Sequence, residues 1–130
     1  MINRAPRSPS ISGPNSGKSG ESYDFTFNAI DPNDDNLRFI IDWGDGKNDT
    51  TAFIASGVDV TLSHTWETKG TFTINAKAED EYGLIGPVTT KIVTMPRSKQ
   101  YINIPLIKII QSQGKLFQIL QILYQRLELL

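Results

Sequence analysis

The amino-acid sequence predicts an all-β protein: an antiparallel β-sandwich of about seven strands followed by a C-terminal helical tail. Between residues 7 and 95, short segments alternate apolar and polar side chains, as half-buried strands do. Turn-forming residues separate these segments at intervals of roughly ten residues, a spacing that is typical of sandwiches. No helical periodicity precedes residue 96.

The first two strands are separated by a long turn. A short strand at about residues 7–12 precedes the stretch 13–20, in which almost every residue is a turn former. The second strand, residues 22–30, is expected to direct four side chains inward: Tyr23, Phe25, Phe27 and Ala29. The stretch 31–36, which is rich in Asp and Asn, ends this strand in a turn.

The alternation continues through the middle of the chain. Residues 37–43 are expected to turn one apolar face inward, formed by Leu37, Phe39, Ile41 and Trp43. Gly44-Asp45-Gly46 then predicts a tight turn, and a short strand is expected at 51–55. Residues 58–66 form the next inward face, with Val58, Val60, Leu62, His64 and Trp66.

Two further strands complete the predicted sandwich. After a turn at Lys69-Gly70, residues 71–79 direct Phe72, Ile74, Ala76 and Ala78 inward. A turn at 81–83 leads to the last strand, residues 88–95. Its expected inward residues are Val88, Thr90 and Ile92.

Residues 96–130 differ from the rest in both charge and pattern. Acidic residues outnumber basic ones in residues 1–95, whereas basic residues outnumber acidic ones in the tail. A stripe at helical spacing is formed by Leu116, Leu120, Leu123, Leu127 and Leu130. We therefore expect a β-sandwich domain over residues 1–95 and an amphipathic helical extension over 96–130.

The helical extension is not expected to span a membrane. The longest uncharged stretch of its last segment is too short to cross a bilayer. Three roles for the tail remain: packing on its own domain, self-association or contact with a membrane surface.

The order of the motifs along the chain resembles that of the PKD (polycystic kidney disease) domain. The motifs are Asp31-Pro32-Asn33-Asp34-Asp35, Trp43-Gly44-Asp45-Gly46, His64-Thr65-Trp66, Gly70-Thr71-Phe72-Thr73-Ile74 and Asp80-Glu81-Tyr82-Gly83. The resemblance covers about residues 5–95, with Trp66 where a tyrosine is commoner in the family. It implies an Ig-like β-sandwich of the kind found on prokaryotic surface proteins. The residues assigned to the fold motif are Trp43, Gly44, Asp45, Gly46, His64, Trp66 and Gly70.

Catalytic residues are scarce in this sequence. His64 is the only histidine, and its inward position between Leu62 and Trp66 favours a core residue over a member of a catalytic triad. The absence of cysteine excludes a disulfide framework, a thiolate metal site and a cysteine nucleophile. A net charge of −1 does not indicate a nucleic-acid partner. We therefore expect no enzymatic activity and no required cofactor.

Calcium is the one ligand that the sequence suggests. Carboxylates clustered on loops supply the oxygen ligands that calcium needs, and some PKD domains bind calcium with help from an N-terminal asparagine, for which Asn3 is the counterpart. The candidate ligands are Asp31, Asp34, Asp35 and Asp80. The alternative is a structural turn in which Asp31 and Asp34 accept hydrogen bonds from nearby backbone N–H groups.

The sequence leaves two functions open. The first is a non-catalytic extracellular module that acts as a spacer, an adhesive or a docking surface for proteins or glycans at the cell surface. The second is a calcium-responsive accessory domain of a secreted hydrolase. We expect an extracellular or cell-surface location with the export signal on a longer parent chain, since no signal peptide is visible in this sequence.

Overall fold

The structure is a computed structural model that describes residues 2–96. These residues form seven β-strands: β1 (Ser10–Ser12), β2 (Ser22–Asn28), β3 (Leu37–Asp42), β4 (Asn48–Thr50), β5 (Val60–Thr65), β6 (Gly70–Asp80) and β7 (Thr89–Met95). They make a three-stranded sheet in the order β1-β2-β5 and a four-stranded sheet in the order β4-β3-β6-β7. Neighbouring strands are antiparallel throughout. The predicted seven-stranded antiparallel sandwich is therefore confirmed.

The predicted helical tail lies outside the described residues, except for Pro96. Its helices, its self-association and its contact with a membrane surface all stay predictions. Within residues 2–96, no helix has the length and apolar character needed to cross a membrane.

The core lies between the two sheets and follows from the alternation along β2, β3 and β6. Its fully buried members include Phe25, Phe27, Leu37, Phe39, Ile41, Trp43, Trp66, Ile74, Ala76 and Ala78. Burial of each large apolar side chain stabilises the fold by about 1.5–3 kcal/mol relative to an exposed position. The predicted inward faces of these three strands are thus confirmed.

Trp43 is at the centre of this core. Its ring centroid lies 5.7 Å from that of Phe25 and 6.0 Å from those of Phe27 and Trp66. The Trp66 indole N–H donates to the Trp43 carbonyl oxygen at 3.1 Å, so this buried donor is satisfied. Because Trp43 follows β3 and Phe25 lies on β2, these contacts join the two sheets.

The prediction for the last strand was wrong about its inward face. Val88 and Ile92 are 51% and 61% exposed, whereas Val93 and Met95 are fully buried. The pairing with β6 explains the difference, because the inward-facing Phe72 is opposite Val93. Apolar residues occupy both odd-numbered and even-numbered positions in this segment, so its own pattern does not decide which face turns inward.

The short edge strand also differs from its predicted position. We expected a strand at residues 51–55, but β4 covers Asn48–Thr50, and beyond it Ile54 makes only an isolated bridge with Leu37. Between them, the Phe39 N–H donates to the Thr51 side-chain oxygen at 2.9 Å instead of to a carbonyl. The hydroxyl of Thr51 thereby interrupts the ladder along this edge.

Candidate metal centre

Two loops and the N-terminal segment meet at one end of the sandwich. The loop that begins at Asp31 enters β3 at Leu37, and Leu37 pairs with Asp80 at the end of β6. The Glu81 N–H donates to the Asn36 carbonyl oxygen at 3.0 Å, which joins the two loops directly. Sheet pairing therefore brings together acidic residues that are far apart in the sequence.

Asp31 organises the first loop from a buried position, with 3% of its surface exposed. Its Oδ1 accepts hydrogen bonds from the backbone N–H groups of Asn33 at 2.8 Å and Asp35 at 3.2 Å. Its own N–H donates to the Ser56 hydroxyl at 2.8 Å. The loop thus contains the turn that the Asp-rich sequence predicts, and this turn uses only one of the two carboxylate oxygens.

Asp80 has the same role in the second loop and is completely buried. Its Oδ1 accepts from the N–H groups of Tyr82 at 3.0 Å and Leu84 at 2.9 Å. Its Oδ2 accepts from the Asn3 amide nitrogen at 2.8 Å. Asp80 therefore holds both its own turn and the N-terminal segment.

The side chains of three acidic residues converge between these loops. One carboxylate oxygen from each of Asp31, Asp35 and Asp80 lies within 4.8 Å of the other two. Partial desolvation, followed by the negative charges of Asp31, Glu81 and Asp80, raises the pKa of Asp35 above its ordinary value. Without a compensating cation, three carboxylates at this spacing repel one another.

Two buried oxygens of this cluster have no donor in the described part of the chain. They are Asp31 Oδ2 and Asn3 Oδ1. A buried acceptor without a donor typically costs about 1–3 kcal/mol, so native structures seldom leave one unexplained. Carboxylate and amide oxygens are the ligands that calcium prefers, and the donor set of Asp31, Asp35, Asp80 and Asn3 therefore fits a hard divalent cation.

The cluster is open to solvent on one side. A shallow pocket of about 300 Å³ is lined by Asn3, Asn33, Asp35 and Tyr82. Calcium takes about six to eight oxygen ligands, so water in this pocket could complete a set begun by the protein. Two members of the donor set, Asn3 and Asp35, therefore line an open pocket.

Asp34 lies apart from the other three predicted ligands. It is exposed and adopts a positive φ of 59°, which aspartate tolerates in turns. Its N–H donates to the Asp31 carbonyl oxygen at 3.0 Å. The structure thus brings together Asp31, Asp35 and Asp80, whereas Asp34 helps to form the turn.

His64 is buried near the end of β3 opposite the acidic cluster, and its Nε2 is paired. Its Nε2 lies 2.8 Å from Asp45 Oδ2, and its ring stacks on Trp43 with centroids 4.4 Å apart and an interplanar angle of 4°. The Trp43 indole N–H in turn donates to Asp49 Oδ2 at 2.7 Å. These contacts make His64 part of the core and engage its Nε2 in a hydrogen bond within the domain.

Asp45 therefore does more than the predicted turn requires. Burial acts to raise its pKa, but the hydrogen bonds from His64 and the Lys47 N–H and the charge of His64 outweigh burial and hold the pKa below its ordinary value. The pairing of Asp45 with His64 could not be predicted from spacing, since 19 residues separate them. The available signal was a polar side chain on an inward strand face, which needs a partner.

The glycines of the predicted fold motif stand where a side chain is disfavoured. Gly44, Gly46 and Gly70 have φ values of 82°, 89° and 147°. At Gly44 a Cβ would also lie 2.5 Å from the Thr73 carbonyl oxygen, so the backbone of β6 closes that position. The turn after Trp43 is consequently packed against the neighbouring strand.

Comparisons with known proteins agree with this architecture. The PKD domain family model matches residues 3–95. The PKD domain of an M14-like peptidase from the Thermoplasmatales archaeon SCGC AB-540-F20 is 41% identical, with a TM-score of 0.72 over 74% of this chain and 100% of that chain. The PKD1 domain of Vibrio anguillarum Epp is 17% identical, with a TM-score of 0.54 over 73% of this chain and 98% of that chain, and so shares the fold. No curated protein matches the chain. The chain belongs to the PKD domain family.

Proposed function

We propose that this chain is a non-catalytic accessory module of a larger secreted or cell-surface peptidase, which it spaces or docks against proteins or glycans. The observation that carries the proposal is the 41% identity to a peptidase PKD domain over the whole length of that domain. PKD domains are non-catalytic and typically occur in secreted or surface proteins. The burial of His64 against Asp45 and Trp43 agrees with a structural role.

A hydrolysis assay tests the non-catalytic part of this proposal. The purified chain is incubated with peptide and polysaccharide substrates, with and without calcium and zinc. We expect no turnover above that of His64→Gln, since the only imidazole of the chain is buried and paired. Hydrolysis that survives repurification and is lost in His64→Gln would show that the chain is an enzyme.

The second part of the proposal is that calcium stabilises the module. Asp31, Asp35, Asp80 and Asn3 would hold the ion, and two of their buried oxygens have no other donor among residues 2–96. An ion there offsets the repulsion among the carboxylates and supplies the missing partners. Calcium is common outside cells, where extracellular modules typically bind it with a Kd of about 10⁻⁴–10⁻³ M.

Thermal unfolding in EDTA and in calcium tests this part. At about 100 times Kd, a ligand that binds only the folded state stabilises it by about 2.7 kcal/mol, which raises Tm by many degrees in a domain of this size. We expect this rise for the native chain and for the control Asp42→Asn, whose carboxylate is exposed at the other end of β3 from the cluster. Asp31→Asn is expected to abolish it. Equal Tm values in EDTA and calcium would contradict the site.

A further inference from the structure

The N-terminal segment, defined here as residues 2–7, completes the cluster described above. We propose that cation binding and the docking of this segment are one coupled event, so that the ion controls the direction in which the chain enters the domain. This inference rests on the calcium site of the proposed function. It is based on two residues, Asn3 and Asn33, whose hydrogen bonds link the N-terminal segment to the carboxylates of the cluster.

Asn3 is the first of these side chains. Its amide nitrogen donates to Asp80 Oδ2 at 2.8 Å, while its Oδ1 is buried without a donor among residues 2–96. In the absence of a cation, burial of this partly negative oxygen without a partner is unfavourable. A cation coordinated by Oδ1 makes the same position favourable. The docked position of Asn3 therefore depends on the ion.

Asn33 is the second, and it connects the segment to Asp31. Its Oδ1 accepts from the Arg4 N–H at 2.8 Å, and its amide nitrogen donates to the Ile2 carbonyl oxygen at 3.2 Å. Its own backbone N–H donates to Asp31 Oδ1 at 2.8 Å. A shift of the Asp31 turn, which the ion would hold in place, is thereby transmitted to residues 2–4.

The second half of the segment is held differently. The Arg7 N–H donates to the Ile30 carbonyl oxygen at 2.9 Å, and Pro6 is buried. Gly86 lies so close to the segment that a Cβ there would be 1.9 Å from the Pro6 carbonyl oxygen. These backbone contacts do not involve the carboxylates. Ion-dependent docking should therefore affect residues 2–4 and end at Ala5.

Thermodynamic linkage makes the coupling reciprocal. If the ion favours the docked segment by some factor, then detaching the segment must weaken ion binding by the same factor. Gly86→Ala offers a way to detach it, since the added Cβ must displace Pro6 while every proposed ligand is retained. Gly46→Ala is the matched control, because nothing lies within 4 Å of a Cβ at that position, at the other end of β3.

The experiment measures amide exchange and calcium affinity on the full chain. Amide hydrogen exchange is followed by NMR at Arg4 and Arg7, in EDTA and in saturating calcium, and calcium affinity is measured by calorimetry. We expect calcium to slow exchange at Arg4 about tenfold or more, within the usual range of such couplings, and to leave Arg7 unchanged. Gly86→Ala is expected to weaken calcium binding at least about fivefold, and Gly46→Ala not to weaken it.

The outcomes separate this inference from the proposed function. If the native chain binds no calcium, the calcium site and the coupling both fail. If the chain binds calcium but Arg4 exchanges at the same rate in EDTA and calcium, the site stands and the coupling is wrong. The exchange measurement uses the native chain, so it decides the question even if Gly86→Ala does not fold.

Discussion

The imidazole of His64 and the carboxylate of Asp45 join the two sheets, with 2.8 Å between Nε2 and Oδ2. His64 belongs to β5 of the three-stranded sheet, and Asp45 lies in the turn after β3 of the four-stranded sheet. The side chains of both residues are largely buried, at 7% and 13% exposed. A polar contact thus closes the end of an otherwise apolar interface between the sheets.

Asp45→Ala should destabilise the domain by about 1–3 kcal/mol, because it leaves the buried His64 nitrogen without its partner. Urea unfolding at neutral pH measures this cost. Asp42→Ala is the matched control, since Asp42 is exposed and its Oδ1 accepts a hydrogen bond from the Gly44 N–H at 2.9 Å. If both variants lose the same stability, Asp45 contributes only its turn hydrogen bond.

The Asp45–His64 pair also predicts a dependence on pH. Because the pKa of Asp45 is lower in the folded state than its ordinary value of 3.8, its stabilising contribution is present above that value and is lost as the pH falls through the lowered value. The stability difference between the native chain and Asp45→Ala should therefore be larger at about pH 5 than at about pH 3. A difference that grows with acidification would contradict this assignment.

Trp43→Ala should destabilise the domain by about 3–5 kcal/mol, the usual cost of emptying a large aromatic site in a core. That is a large part of the total stability of a small domain, which is about 5–15 kcal/mol. Phe53→Ala is the control, since Phe53 is 43% exposed and should cost about 1 kcal/mol or less. Equal losses in chemical unfolding would show that Trp43 is not the centre of the core.

Gly44→Ala and Gly46→Ala separate backbone strain from steric overlap. Both glycines have positive φ values, so each substitution should cost about 1–2 kcal/mol in strain alone. Only Gly44→Ala adds an overlap with the Thr73 backbone, since the space at Gly46 is open. We expect Gly44→Ala to have the clearly lower Tm. The reverse order would mean that the turn does not pack on β6 as described.

Asp35→Asn should have opposite effects in EDTA and in calcium. Removing one charge from the acidic group relieves repulsion, so the Tm in EDTA should rise by a few degrees. In calcium the same substitution removes a ligand, so the Tm should fall below that of the native chain. A change of the same sign in both buffers would show that Asp35 does not contribute to an ion site.

The comparison of Ile92 with Val93 shows where the pattern of one strand was insufficient. Phe25 and Ile74 lie on strands whose apolar residues share one parity, and their inward positions were predicted correctly. On β7 both parities carry apolar residues, and the pairing of Val93 with Phe72 decides which face is buried. Register between strands is a property of the fold, which the alternation within a single strand does not contain.

The candidate metal centre shows a similar division. Acidic loops at one end of the predicted sandwich, together with the resemblance to PKD domains, indicated Asp31, Asp34, Asp35 and Asp80 as candidate ligands. The separation of Asp34 from the group follows from its positive φ, and the two acceptors without donors follow from tertiary contacts. Neither fact can be predicted from the spacing of these residues along the sequence.

The hydroxyl of Thr51, which takes the place of a carbonyl opposite Phe39, also bears on how these domains behave side by side. A regular, uninterrupted edge strand is a template onto which a strand from another molecule can add. Here one edge of the four-stranded sheet is β4, which has only three residues before its ladder with β3 is interrupted. Crowded copies of the domain, or copies joined in series, would therefore resist fusing along this edge into larger sheets.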